Sequence, residues 1–436
     1  MKKNYFLLTA VALLMSVQMI FAQNRSLVVD QVFVVSGGAF TNPDDFVTVA
    51  SYKPSDSTTT EFNTIFTQSV QSAVTHAGYL YVAAQDSIVA YDIASYTRVA
   101  AIAAVGVNQL YATDDKLVAS FWYPDTADFV RIYNREDLSE LAVISEVSGE
   151  AAGIAVIDDK AYVAVPGGWA STVGKIAVID LESNSFVQEV DLGVDGAGIK
   201  NVFAYKESET NYLATVNTTP WGGTTGVVMK IDPADMSVVN TSVLNVVLGK
   251  GVAISSDDAY LYALINGGIG SVSLADFAVA DTAIVAAPAL GFSIAGAALD
   301  MVNNQFYVTT TDYASVGEGT IYNMDGEVVG NFDAGISAEA IAIHYVDTEA
   351  VSEIFAEGSF SVYPNPATNH VTVLNSHAVA LDKVVVTDLT GRVVMSNRLN
   401  GEKSSVQLNL SGVNGGLYLV SLYGEGKVFT AKVVKQ

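Results

Sequence analysis

The chain contains no cysteine, which excludes disulfides, thiolate metal sites and a cysteine nucleophile. Histidine is limited to four residues and tryptophan to three. No Gly-x-Ser-x-Gly elbow, P-loop or dinucleotide fingerprint occurs; the pairs Gly222-Gly223 and Gly267-Gly268 read as turns. Basic residues are few, with 21 Lys and Arg against 46 Asp and Glu. A surface of that sign repels phosphate backbones and anionic headgroups, so nucleic acid and electrostatic membrane docking are excluded. Beyond the first 22 residues there is no apolar run long enough to span a bilayer.

Residues 1–22 have the make-up of a signal peptide. Lys2-Lys3 precede an apolar run from Tyr5 to Val17, and Ile20-Phe21-Ala22 stand before Gln23. With no cysteine after that cleavage point, the mature chain is not expected to be a lipoprotein. Removing the segment leaves 19 basic and 46 acidic side chains, a net charge of −27. Residues 23–350 hold 12 basic and 40 acidic side chains, net −28, and the remainder about +1. Such charge suits solubility outside the cell. Yet half of the residues are hydrophobic and mean hydropathy is +0.34, which suits sheets buried on both faces.

The organising pattern lies between Ala151 and Gly193. Gly153–Ile157, Ala161–Val165, Lys175–Asp180 and Phe186–Asp191 read as four strands, separated by Asp, Asn, Gly and Pro. Tyr162, in the second strand, recurs as Val32, Tyr81, Leu117, Tyr212, Tyr262 and Tyr307, at spacings of 49, 36, 45, 50, 50 and 45 residues. One four-stranded unit cannot bury both faces alone, so the copies must stack. Seven units predict an all-β chain whose residues 23–346 form a seven-bladed β-propeller. The first unit lacks an inner strand, and a spare one follows the last, Glu339-Ala-Ile-Ala-Ile-His-Tyr345. Residues 338–346 are therefore expected to complete the first blade and leave no open edge. A linker is expected over 347–357.

From residue 358 the texture changes. Phe360–Val373, Lys383–Val394, Ser405–Leu410, Gly416–Leu422 and Lys427–Val434 alternate apolar and polar residues, as in Val406/Leu408/Leu410 against Gln407/Asn409. They predict a small Ig-like antiparallel sandwich of about seven strands. Residues 358–436 resemble the type A C-terminal sorting domain of type IX secretion substrates in Bacteroidetes. The matching pieces are Tyr363-Pro-Asn-Pro-Ala-Thr368, Asp388-Leu-Thr-Gly-Arg-Val-Val394, Gly415-Gly-Leu-Tyr-Leu-Val420 and Lys432-Val-Val-Lys435. Asn414-Gly415-Gly416 departs from the family's more usual Pro-Ala-Gly. The resemblance implies the type IX machinery as a partner, export across the outer membrane, then removal of this domain and release or attachment to surface lipopolysaccharide. More loosely, Leu80–Ala83 and Ile176–Asp180 resemble lines repeated in YncE-like surface propellers of the same phylum, some of which capture cobalamin for an outer-membrane transporter.

In a propeller, the loops between second and third strands gather on one face with the connections entering each inner strand. Trp122, Trp169 and Trp221 fall in that loop class in three successive units. Tyr123 stands beside Trp122, Asn217 opens the Trp221 loop, and the corresponding first and seventh loops offer Phe40 and Tyr313. An aromatic rim of this kind can stack on a sugar or macrocycle or anchor a protein; each ring alone could equally pack between blades. Asp44, Asp45, Asp125, Asp128, Asp195 and Asp312 lie on the same face, able to meet sugar hydroxyls, with no EF-hand or nonapeptide spacing. His76 and His344 end inner strands on the other face and read as structural.

The expectation is a secreted or cell-surface monomer that captures an extracellular ligand without catalysis and without a cofactor or metal. The alternatives are a lyase or hydrolase using loop carboxylates, and a structural surface protein with no small ligand.

Overall fold

The computed structural model describes residues 26–167, 172–348, 353–354, 360–376, 378–388, 393–424 and 427–436. The expected signal peptide, most of the expected linker and Trp169 lie outside the described residues. Among the described residues every regular element is a strand except one 3-10 turn, Val194–Gly196. Contacts divide the chain into two units, one of them Val29–Val346 and the other containing Asp347–Gln436.

Sequence and turn chemistry explain the first unit. In Ile154–Ile157, Lys160–Val165, Lys175–Asp180 and Ser185–Asp191, β-branched and small apolar residues fill the strands. Asp158 and Asn184, at φ 50° and 52°, turn the chain between them, a conformation that Asp and Asn tolerate. The strands pair antiparallel in sequence order, with Tyr162 opposite Val178. Six consecutive sheets of the unit repeat this order, from Val70–His76 to Val328–Ile336.

The first sheet differs. Its strands Ser26–Ser36, Val47–Lys53 and Thr58–Ile65 are joined by Ala340–Thr348, which lies alongside Ser26–Ser36. The Thr75 hydroxyl donates to the Ile343 carbonyl at 2.7 Å, tying this strand to the second sheet.

Apolar clusters lie between successive sheets. One holds Phe121 and Leu138 of the third sheet with Ile88 and Ala90 of the second, and another joins Phe277 and Leu261 to Val216 and Val228. Tyr307 and Phe332 of the seventh sheet share a cluster with Val32 and Tyr52 of the first. Each large aliphatic side chain so buried contributes about 1.5–3 kcal/mol. The repeated tyrosine also spans neighbours: the Tyr81 hydroxyl donates to the Arg135 carbonyl at 2.9 Å. Second strands such as Lys160–Val165 are buried almost throughout, whereas fourth strands such as Arg98–Ala103 are largely exposed.

In the second unit a five-stranded and a three-stranded sheet enclose one core of Val371, Val373, Val384, Val386, Leu408, Val420, Leu422 and Val433. Val406–Asn409 alternates buried and exposed as its sequence requires. Asn365, between two prolines, holds the final strand: its amide donates to the Lys432 carbonyl at 2.6 Å, and its oxygen accepts from the Val434 N–H at 2.9 Å. Ala367 N–H donates to the Val434 carbonyl at 2.7 Å. The Tyr363-Pro-Asn-Pro-Ala-Thr368 opening is thus a clamp on the chain's last strand.

Candidate functional site

The first strands of six sheets, together with the joining strand Ala340–Thr348 of the first sheet, line a cavity of about 640 Å³. They contribute, among others, Gln71, Gln109, Gly153, Lys200, Lys250, Ile294 and Glu339, all at or near strand starts. Trp122 and Tyr313, which follow second strands of the third and seventh sheets, also line it. The cavity therefore opens at the end of the sheets where the second-to-third-strand loops lie.

Close backbone contacts set those loops. Trp122 N–H donates to the Gly106 carbonyl at 2.8 Å, tying the loop to the connection that enters the third sheet. Thr218 and Gly198 repeat the arrangement in the fifth sheet at 2.9 Å. Tyr313 has φ 64°, a conformation strained for a bulky residue. The Thr311 hydroxyl accepts from its N–H at 2.8 Å, and its carbonyl accepts from Phe40 N–H at 3.2 Å. The first and seventh loops are thereby joined.

The residues expected at this face divide into three groups. Trp122 is half-buried on the cavity wall, and Tyr313 stands there half-exposed. Trp221 is 103% exposed, Phe40 85% and Tyr123 75%, so these rings are free of packing. Asn217 is buried: its amide donates to the Asp195 carbonyl at 2.7 Å, which makes it a support of the loop rather than a presented group.

Three of the six carboxylates are occupied. Asp125 pairs with Arg131 at 2.6 Å. Asp45 accepts from Ala39 N–H at 2.7 Å. Asp312 accepts from the backbone of Ser315 and Ala314, which holds its pKa below the usual carboxylate value. Asp44 and Asp195 are exposed, and Asp128 is half-buried at φ 60°. At the opposite end His76 meets Asp114 at 3.0 Å, and His344 meets Asp30 at 3.2 Å. Among the described residues no three His, Asp or Glu gather as a metal site.

Sequence reasoning missed the charged wall of the cavity. Burial lowers the pKa of Lys200, with Glu150 acting against it. Lys250 is wetted by the cavity yet enclosed by protein, and this enclosure lowers its pKa against the pull of Glu339. Burial raises the pKa of Glu339 in turn. Lys250 Nζ donates to the Ala295 carbonyl at 2.9 Å. The signal was present: each lysine stands 12 residues ahead of the repeated tyrosine, Tyr212 or Tyr262. More apolar side chains crowd the connections between sheets, with Leu290 104%, Val194 90% and Phe66 78% exposed.

Residues 361–436 match the family described as the secretion system C-terminal sorting domain. The C-terminal module is a sorting domain. A chain carrying this sorting domain is exported to the cell surface or beyond, and no helix among the described residues is long and apolar enough to cross a membrane. No curated protein matches the chain.

Solved structures share its fold at low identity. A quinonprotein alcohol dehydrogenase-like protein from Bacteroides thetaiotaomicron is 15% identical, over 72% of this chain and 78% of its own, with a TM-score of 0.52. A hypothetical selenium-binding protein from Sulfolobus tokodaii is 10% identical, over 75% and 92%, with a TM-score of 0.54. PorZ, a surface component of the type IX secretion system of Porphyromonas gingivalis, is 14% identical over 89% of this chain, with a TM-score of 0.48. This chain spans 63% of the length of PorZ. These likenesses concern the fold; the sorting domain supplies the destination.

Proposed function

We propose that the protein is a non-catalytic capture propeller, exported by the type IX machinery, whose seven sheets are the blades of one ring. The sorting domain is then an Ig-like sandwich that follows residue 357. The ligand sits in the central cavity, with a flat face such as a sugar ring stacked on Trp122 and Tyr313. Trp221, Tyr123 and Phe40 guide or grip its outer parts. One observation carries this reading: a cavity of about 640 Å³, built by all seven sheets, opens among the aromatic loops. That volume is in the usual range for small-ligand sites, and an exposed ring with no packing partner is available for binding.

The test is a fluorescence titration with soluble oligosaccharides, using the whole chain and a Trp122→Ala, Trp221→Ala double variant. Quenching and micromolar binding are expected for the native chain, with at least a tenfold loss in the variant at unchanged stability. Unchanged affinity in the variant would remove the reading.

A second reading has its own observation. Glu339, pushed up, and Lys250, pushed down, face one cavity, and opposed shifts of this kind accompany acid–base chemistry. Turnover of a bound glycan, abolished in Glu339→Gln, would favour a lyase or hydrolase.

A further inference from the structure

Within the cavity the charge runs against the rest of the unit. Residues 23–350 carry 40 acidic side chains and 12 basic ones, and residues 251–350 contain no Lys or Arg at all. Lys116, Lys175 and Lys230 each pair with a carboxylate. Lys200 and Lys250 do not: among the described residues, neither has a carboxylate within 4.0 Å, although both line the cavity. Glu150 and Glu339 act on them only from beyond that distance, so the desolvation of the ammonium groups is incompletely compensated, and a bound anion would offset that cost.

Backbone geometry brings the two together. Gly251 N–H donates to Asn201 Oδ1 at 2.8 Å, so the residues next to Lys250 and Lys200 are hydrogen-bonded across adjacent sheets. That bond also fixes Asn201: with its oxygen occupied, its amide N–H₂ remains to donate. Gln71 donates to Ser69 at 2.9 Å, and Gln109 donates to the Gln71 carbonyl at 3.4 Å. Both leave an amide oxygen without a partner among the described residues. The wall thus offers two ammonium groups, one amide donor and two amide acceptors in the same lining as Trp122.

We infer that this cavity takes an acidic saccharide, with a carboxylate held by Lys200 and Lys250. Sugar hydroxyls donate to Gln71 and Gln109 and accept from Asn201, and the ring stacks on Trp122. A neutral sugar would bring neither ammonium group a carboxylate in contact, so discrimination against it is built in. This inference rests on the capture reading and narrows it to one ligand class. Glu339 faces the same space and disfavours a multiply charged anion, which fits a single carboxylate per bound unit.

Two probes of equal length separate the ideas: an oligogalacturonate and the corresponding neutral oligogalactose, titrated calorimetrically into the whole chain. Tenfold or stronger preference for the acidic probe is expected. Lys200→Met, Lys250→Met together should reduce acidic-probe affinity at least tenfold, and Lys200→Arg, Lys250→Arg should restore most of it. Equal affinity of the native chain for both probes overturns the acidic-saccharide inference and leaves capture standing. Binding of neither overturns both. Should the Met variant fold poorly, the two-probe comparison on the native chain decides the matter.

Discussion

The Gly106 carbonyl lies 2.8 Å from the Trp122 N–H, and a Cβ on Gly106 would stand 2.4 Å from the Trp122 carbonyl oxygen. Gly106 also holds φ 75°, where a side chain is strained. Gly106→Ala should therefore displace the Trp122 loop and cost about 1–3 kcal/mol. Denaturant unfolding measures the loss, and a changed tryptophan emission reports the moved loop. A variant as stable as the native chain would show that the loop is not held this way.

Trp221 makes the opposite case. A side chain that is 103% exposed loses no packing on removal. Trp221→Ala should shift stability by no more than about 0.5 kcal/mol, while removing a fluorescence component open to acrylamide. A clear fall in melting temperature would mean that the ring packs.

Completion of the first sheet can be challenged in one strand. Ala342, 5% exposed, belongs to the cluster shared by the first and second sheets. Ala342→Asp buries an unpaired carboxylate and should destabilise by about 3 kcal/mol or more. Val328→Asp, on an outer strand at 57% exposure, is the control and should change little.

Acid should act through the turns at the far end of the sheets. Ser95 and Ser139 hydroxyls lower the pKa of Asp92 and Asp137, and the Ser183 N–H and hydroxyl lower that of Asp180. A carboxylate whose pKa is lower folded than unfolded adds stability above the unfolded value of 3.8, lost as pH falls through the folded value. Glu339, raised by burial, has the opposite sign and regains stability as pH falls toward its unfolded 4.5. Melting temperature should accordingly hold or rise slightly from pH 7 toward 5 and drop below about 3.8. Ser95→Ala with Ser183→Ala should lower the melting temperature near neutral pH and make the acid drop shallower, since the two carboxylates then titrate closer to their unfolded value.

In the sorting domain, Asn365→Ala removes both bonds to the last strand, at 2.6 and 2.9 Å. A loss of about 1–2 kcal/mol is expected, with the chain accumulating in the periplasm when export is followed by cell fractionation. Normal export of the variant would show that the clamp is dispensable.

The sheets were legible because strands carry their own punctuation. Tyr81, Tyr162, Tyr262 and Tyr307 mark equivalent strands since each must be buried against a neighbour, and the spare strand after residue 338 had one vacancy to fill. Loop composition placed Trp122 and Tyr313 at the cavity, but loop residues alone do not reveal exposure; Asn217 looked presentable and is buried beneath Asp195. Lys200 and Lys250 stayed hidden because a lysine near the start of a strand reads as an outward residue. Only the gathering of seven strand starts around one space turns them inward.

Asp30 and His344 are hydrogen-bonded at 3.2 Å although 314 positions separate them. The first sheet of this unit therefore waits for the unit's last strand before it is whole. Until then the first sheet keeps a raw border, contact order is high and folding is slow. The pairing that leaves the first sheet without an open border thus also ties its completion to a strand made some three hundred residues later.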